Sequence, residues 1–413
     1  MPGTAIRDVA VVLSGGGING VLLELGFLER LRESPIWPRV GWIYGTSAGA
    51  LAGALAAQDR VDELETFLLS LQAEDVFQPR RLWQLPLGGL HDYALPETVA
   101  ERIGDAAELG SALAASEIEL IVFATDVSEH IEGDGTRHFE LVYQSHTTPP
   151  ETMGRAILAS AAVSALVLPV RVDDVIATDG SWVRNFPLEH AYRNPNVRAI
   201  AAFRYIASYR PSEVAFLQRM RERLDRFRAV PPIRALLAEL RLAEERAGRG
   251  EPAHYPELIV RLMRVAIARN TVLEERLVAE REISVLELHR IREEIVKASL
   301  DAAPRRRRRR LRAELDELFA SARFPFRHDR HVPCLIVRGT PGEDGLDPSF
   351  RAEPPWPEER KRALIERGYR LADEELARNA GLLTREAGEG RQGPGQAVGP
   401  HAGDRSGPGE AGA

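Results

Sequence analysis

Cysteine and lysine are almost missing from this chain of 413 residues. The single cysteine, Cys334, excludes an internal disulfide and any zinc site built on cysteines. In the strand-like stretch HVPCLIVRG it reads as a small buried apolar residue. Only Lys297 and Lys361 accompany the arginines among 54 basic residues, a compositional bias to which no function is attached. Positive charge is also in deficit: the net charge of −7 argues against nucleic acid as a partner. Long apolar runs are lacking too. The longest, ILASAAVSALVLPV (157–170), is too short to span a bilayer and contains Pro169. The opening MPGTAIRDVAVVLSGGG has neither the basic region nor the cleavage site of a signal peptide. The expectation is a soluble, cytoplasmic protein in a reducing compartment. Export without a cleaved signal and peripheral membrane contact stay open.

What is present is enough for a sizeable core: 44% of residues are apolar and 28% charged. The first half alternates two periodicities. DVAVVL (8–13) reads as a buried strand. Ile18, Val21, Leu22, Leu25 and Leu28 then recur at helical spacing until Pro35. VGWIYG is a second strand with a helix from Ala48 to about Ala57. IELIVFATD, RHFELVY, VRVDDVIATD and VRAIAAF read as further strands, predicting an α/β layer fold with a mostly parallel sheet. From about Pro211 the texture becomes charged and helical, over 212–249 and 255–319, before HVPCLIVRG and a last helix in EERKRALIERGYRLADEELARNA. Residues 386–413 are Gly, Pro and polar, and are expected to be a disordered tail. The run of six arginines, Arg305 to Arg310, reads as a solvated face or as a patch for anionic phosphates or lipid head groups.

One serine stands out. In Gly45-Thr46-Ser47-Ala48-Gly49 a strand must turn sharply into a helix, and the two glycines remove Cβ atoms that would clash there. Such a turn presents the hydroxyl at the carboxyl edge of a sheet, beside a helix N-terminus that favours negative charge. A nucleophilic serine also needs donors for the oxyanion that forms on an attacked carbonyl. Ser14-Gly15-Gly16-Gly17-Ile18-Asn19-Gly20, directly after the first strand, can offer backbone N–H groups unobstructed by side chains. The same stretch matches the spacing of a dinucleotide loop through Gly15, Gly17 and Gly20. That reading requires an acidic residue ending the second strand, where this chain has Gly45-Thr46-Ser47. No Lys-Ser or Lys-Thr follows Gly20, which excludes a Walker loop.

A base is also needed. None of the ten histidines has a convincing setting: His190 opens a helix, His138 lies in a strand, and His328 and His331 flank Asp329 in a charged linker. A desolvated carboxylate can serve instead. Asp179, ending a strand before Gly180, is a candidate, although Asp-Gly alone is ordinarily a turn. Asp126, Asp173 and Asp174 also lie near strand ends and are expected to be structural.

Together these motifs resemble the patatin-like phospholipases: a glycine-rich loop (Gly15, Gly16, Gly17), a Gly-x-Ser-x-Gly elbow on Ser47 and a distant Asp179-Gly180-Ser181 followed by Asn185-Phe186-Pro187. ASAAVSALVLPV before Asp179 and residues 78–103 are similar to stretches of that family, and the likeness extends weakly to GYRLADEELA. The resemblance implies a three-layer patatin-like fold, a catalytic unit over 5–380 with a mainly helical part at 212–325, and a Ser47–Asp179 dyad. It further implies an oxyanion hole from Gly15, Gly16, Gly17 and Ala48, no cofactor or metal, and a lipid ester as substrate. An acyltransferase on the same dyad, an inactive membrane-binding or regulatory module and a nucleotide-binding domain are the rival readings. Leu82, Trp83, Leu85, Leu87 and Leu90 could line an acyl site or belong to the core. The chain departs from the family at Asn19, where Lys or Arg is usual, at Ser181, and at Ser164 and Val167, where Pro and an aromatic are common.

Overall fold

A computed structural model describes residues 6–79, 91–128, 139–163, 167–207, 224–249, 255–324, 328–346 and 356–379, with isolated positions at 218, 221, 222, 251, 326 and 381. The Leu82–Leu90 cluster, Ser164, His138 and the tail at 386–413 lie outside the described residues.

Among the described residues ten strands form: β1 (Val9–Leu13), β2 (Val40–Thr46), β3 (Phe77–Pro79), β4 (His91–Tyr93), β5 (Glu119–Asp126), β6 (Glu140–Gln144), β7 (Val170–Val172), β8 (Val175–Asp179), β9 (Ala199–Tyr205) and β10 (Cys334–Gly339). The main sheet runs β10-β9-β1-β2-β5-β8-β7, with β6 also on β5; β3 and β4 form a separate pair. From β10 to β5 every neighbour is parallel, while β6, β7 and β8 add antiparallel pairings. VRVDDVIATD, read as one strand, is instead the hairpin β7–β8, turned at Asp173 with φ of 50°.

The helices described before residue 200 are α1 (Gly17–Arg32), α2 (Ala48–Ala57), α3 (Val61–Ser70), α4 (Ala73–Val76), α5 (Leu95–Arg102), α6 (Ala106–Ala114), α7 (Pro150–Ser160), α8 (Ser181–Arg184) and α9 (Leu188–Arg193). Those that follow are α10 (Pro231–Gly248), α11 (Tyr255–Ala302), α12 (Arg308–Ser321) and α13 (Glu358–Arg378). The arginine run begins as an exposed 3-10 turn, Arg305–Arg307, and continues into α12.

The layers follow from the alternation of side chains along each strand. Val9, Val11 and Leu13 of β1 join a core with α1, α2, α3, α7 and α13 on one face of the sheet. Ala10 and Val12 join a second core with Phe186, Leu188, Tyr192 and Val278 on the other. Two glycines allow α1 and α13 to cross closely: a Cβ on Gly26 would meet the Ile365 carbonyl, and one on Gly368 the Leu23 carbonyl. Lys361 of α13 is wholly buried, and its Nζ donates to the Leu69 and Leu71 carbonyls at the end of α3. A compact ammonium can serve two carbonyls at a helix end where a planar guanidinium would need more room.

The long helix α11 has 48 residues, about 72 Å of helix. Thr271, Val278 and Val285, seven apart, form its buried line. Polar contacts flank that line: Asn270 Nδ2 donates to the Trp182 carbonyl at 2.6 Å, Arg281 pairs with Glu189, and Glu275 pairs with Arg204 at 2.5 Å and with Arg338.

Candidate active site

Strand β5 brings the site together. Thr46, the last residue of β2, pairs with Phe123; Asp179, the last residue of β8, pairs with Ala124. Strand β6 occupies β5 over residues 121–125, so β2 and β8 share the opposite edge, end to end. Parallel and antiparallel pairing point their carboxyl ends at each other, one residue step apart along β5. Ser47 and Asp179 thus meet across 132 positions of sequence, and Ser47 Oγ donates to Asp179 Oδ2 at 2.6 Å.

Both groups are buried, and each is fixed by further bonds. Ser47 has φ of 56°, a conformation that non-glycine residues rarely adopt. Its N–H donates to Ser160 Oγ at 2.8 Å, and that hydroxyl donates to the Phe123 carbonyl at 2.6 Å. The Ser181 N–H donates to Asp179 Oδ1 at 2.7 Å, leaving Oδ2 facing Ser47. Thr125 Oγ1 donates to the Asp179 carbonyl at 2.7 Å, and the Asp179 N–H to Ala162 O at 3.0 Å. Burial pushes the Asp179 carboxyl above its ordinary range, against the opposing pull of bonds from Ser181 and Ser47. Tyr93 is half-buried nearby, its hydroxyl raised by desolvation and then by the Asp179 charge, and it donates to Leu158 O at 2.7 Å.

The glycines are needed because the backbones approach so closely. A Cβ on Gly45 would stand 2.5 Å from the Gly49 carbonyl, and one on Gly180 2.2 Å from the Phe123 carbonyl. Gly15 lies against Ser47: its Cβ would fall 3.1 Å from that of Ser47, and 2.5 Å or less from Ser181 Oγ and Asn185 Oδ1. Gly17 has φ of +56° with open space around it. Gly20 begins the packing of α1 under Tyr205.

The glycine loop does not offer all of its donors. The Gly15 N–H, expected to face an oxyanion, donates to the Asn185 carbonyl at 3.0 Å. Among the described residues, the N–H groups of Gly16, Gly17 and Ala48 take no such acceptor. Asn185 also donates through Nδ2 to Thr271 Oγ1 of α11 at 2.9 Å. Asn19 is no surface substitute for a basic residue. It is buried and forms two hydrogen bonds with Leu346, Nδ2 donating to the carbonyl at 2.9 Å and the Leu346 N–H donating to Oδ1 at 2.7 Å.

The other carboxylates sit apart. Asp126 accepts from Ser128 N and Oγ at 2.8 and 2.7 Å, and Asp173 accepts from Thr152. His190 bonds Glu140 at 2.9 Å rather than Ser47. Burial alone would raise the Glu140 carboxyl, but bonds from His190 and Arg184 and their charges hold it at about 2. Arg184 in turn pairs with Glu140 at 2.5 Å and with Glu274 of α11. The motifs do not point to Ser160, Thr125 or Thr271. Ser160 lies in the family-like ASAAVSALVLPV stretch, but no local signal marks Thr271. Among the described residues no group of three or more His, Cys, Asp and Glu side chains is placed to hold a metal ion, and no helix is long and apolar enough to cross a membrane.

Residues 11–192 match the family model of the patatin-like phospholipases, so the resemblance drawn from the motifs is shown over that stretch. The match ends before β9 and β10, which complete the same sheet. No curated protein matches the chain. Among solved structures it is similar to VipD from Legionella pneumophila, at 12% identity and a TM-score of 0.38, covering 91% of this chain and 68% of that one.

Proposed function

We propose that the chain is a lipid acyl hydrolase, of phospholipase A or lysophospholipase type, working through a Ser47–Asp179 dyad. The 2.6 Å contact between Ser47 Oγ and Asp179 Oδ2 carries this reading. Ser47 Oγ attacks the ester carbonyl carbon while its proton passes to Asp179 Oδ2. The N–H groups of Gly16, Gly17 and Ala48 hold the oxyanion. Asp179 returns the proton to the departing alkoxide, leaving an acyl group on Ser47. Water then gives its proton to Asp179 and attacks the acyl carbon, and the proton returns to Ser47 as the carboxylic acid leaves.

Two features support Asp179 as the base. Desolvation raises its proton affinity, and the Ser181 N–H fixes Oδ1 so that Oδ2 faces the hydroxyl. The phospholipase family match supports a lipid ester as substrate. The catalytic unit is read as 5–380, because β9 and β10 lie in the sheet that carries the site. The test pairs a fluorophosphonate probe with mass spectrometry of products from mixed phospholipids and neutral lipids. Labelling at Ser47 and released fatty acid are expected. Labelling at another serine, or hydrolysis surviving in Ser47→Ala, overturns the assignment.

A further inference from the structure

The face of α11 turned away from the sheet has no partner among the described residues, yet it is apolar along most of its length. Exposed aliphatic side chains recur from Leu258 to Ile295, on the side opposite the buried line of Thr271, Val278 and Val285. The charges on this outer face are divided by half. Between Leu258 and Ala279 the only carboxylates, Glu274 and Glu275, turn inward onto Arg184 and Arg204, while Arg269 and Arg276 point out. Beyond Ala279 the outward residues include Glu280, Glu287, Glu293 and Glu294, against Arg290 and Lys297.

We propose that this face pairs with the same face of a second copy of the chain, antiparallel, about a two-fold axis beside Val278. An isologous contact must be self-complementary, so each residue meets one equally far from the axis in the other direction. Arg276 and Glu280 both lie two residues from Val278, and Arg269 and Glu287 both lie nine. Leu273 and Ile283 lie five residues away, and Val265 and Ile291 thirteen. The antiparallel register therefore sets arginine on glutamate and aliphatic on aliphatic across the seam. A parallel register sets Arg269 on Arg269 and Glu287 on Glu287, which charge repulsion disfavours. An anionic lipid surface would suit the first half and repel the four glutamates of the second. Within one copy Arg276 pairs with Glu280, and Arg290 with Glu287 and Glu294, all exposed and weakly held, while Arg269 has no partner among the described residues. Val278 itself faces inward, so the axis lies over the middle of the docked segment and the two catalytic units fall on opposite sides of the helix pair.

Sedimentation of the full chain reads the oligomeric state without reference to catalysis. The wild type should be a dimer whose dissociation constant rises with salt. Arg269→Glu with Arg276→Glu should raise that constant by about tenfold or more. Adding Glu280→Arg and Glu287→Arg to the same chain exchanges the signs and should restore it. Leu273→Cys and Ile283→Cys variants should cross-link in a mixture and not singly. A monomeric wild type, or a dimer indifferent to the charge reversals, overturns the proposal. So does a wild type that is monomeric but floats with anionic vesicles through Arg269 and Arg276, which assigns the face to lipid.

Discussion

The sheet edge around Ser47 and the long helix α11 are built on opposite plans. At the edge, four backbone segments meet at glycines, and among the described residues the one ionisable group bonded to Ser47 is Asp179. Along α11 ion pairs join side chain to side chain, through Arg184, Arg204, Arg281 and Arg338 and their glutamates. Backbone register places the edge closely. Long, charged side chains tolerate displacement, and an exposed ion pair contributes about 1 kcal/mol or less. The two plans meet in the segment after Asp179, where Asn270 reaches the Trp182 carbonyl and Thr271 takes Asn185, whose own carbonyl holds the Gly15 N–H.

The contrast is sharpest at Asp179. Asp179→Asn should lower turnover by about 10³–10⁴-fold, since an amide cannot take the serine proton. Its melting temperature should not fall. Because the folded carboxyl is raised, the folded chain binds its proton more readily than the unfolded one, so the ionised group costs stability at neutral pH and asparagine removes that cost. In the wild type, activity on a soluble chromogenic ester should rise with pH through an apparent pKa above the usual carboxylate range of about 4. Single alanine variants of the ten histidines should keep their turnover; any folded one as inactive as Asp179→Asn would replace the dyad with a triad.

Gly17→Ala comes next. Its Cβ meets nothing, so the change acts through the backbone, whose φ of +56° costs a side-chain-bearing residue about 1–2 kcal/mol. Displacing that N–H should lower turnover by about 10²-fold, measured beside the thermal midpoint. Gly16→Ala is a less selective probe, since its Cβ would strike Gly20 and the Tyr205 ring and disturb packing as well.

Thr271→Val tests the joint between the two plans. It leaves Asn185 Nδ2 without its acceptor, at about 1–3 kcal/mol, and should lower turnover by about tenfold through the Asn185–Gly15 link. Thr271→Ser should restore both. If Thr271→Val loses stability alone, the helix supports the fold without reaching the glycine loop.

The smallest effect is expected at Arg338→Gln, which removes an exposed partner of Glu275 while Arg204 remains. Stability should change by less than about 1 kcal/mol, and turnover not measurably.

The same contrast governs how much of the molecule is legible in its amino acids. Glycine at Gly15, Gly45 and Gly180 is a local necessity of close backbone approach, so the loop, the elbow and the Asp179 turn stand out in the chain itself. The buried strands β1, β2, β5 and β9 are legible from their apolar runs. The β7–β8 hairpin is not, because its turn is made by Asp173 rather than by glycine. Nor does a local pattern announce that Asn19 bonds Leu346, that Asn185 bonds Thr271, or that Asn185 takes the Gly15 N–H. Those partners are set by packing between distant segments, and at each position several polar residues would look equally plausible.

The end-to-end seating of β2 and β8 on one edge of β5 makes the Ser47–Asp179 contact depend on two separate strand pairings. Ser47 stands on the turn after β2 and Asp179 ends the β7–β8 hairpin, so neither strand alone brings the hydroxyl and the carboxylate together. A chain with the hairpin undocked leaves the Ser47 hydroxyl without that carboxylate. On the proposed dyad, hydrolysis therefore requires both strands to be seated on β5 at once.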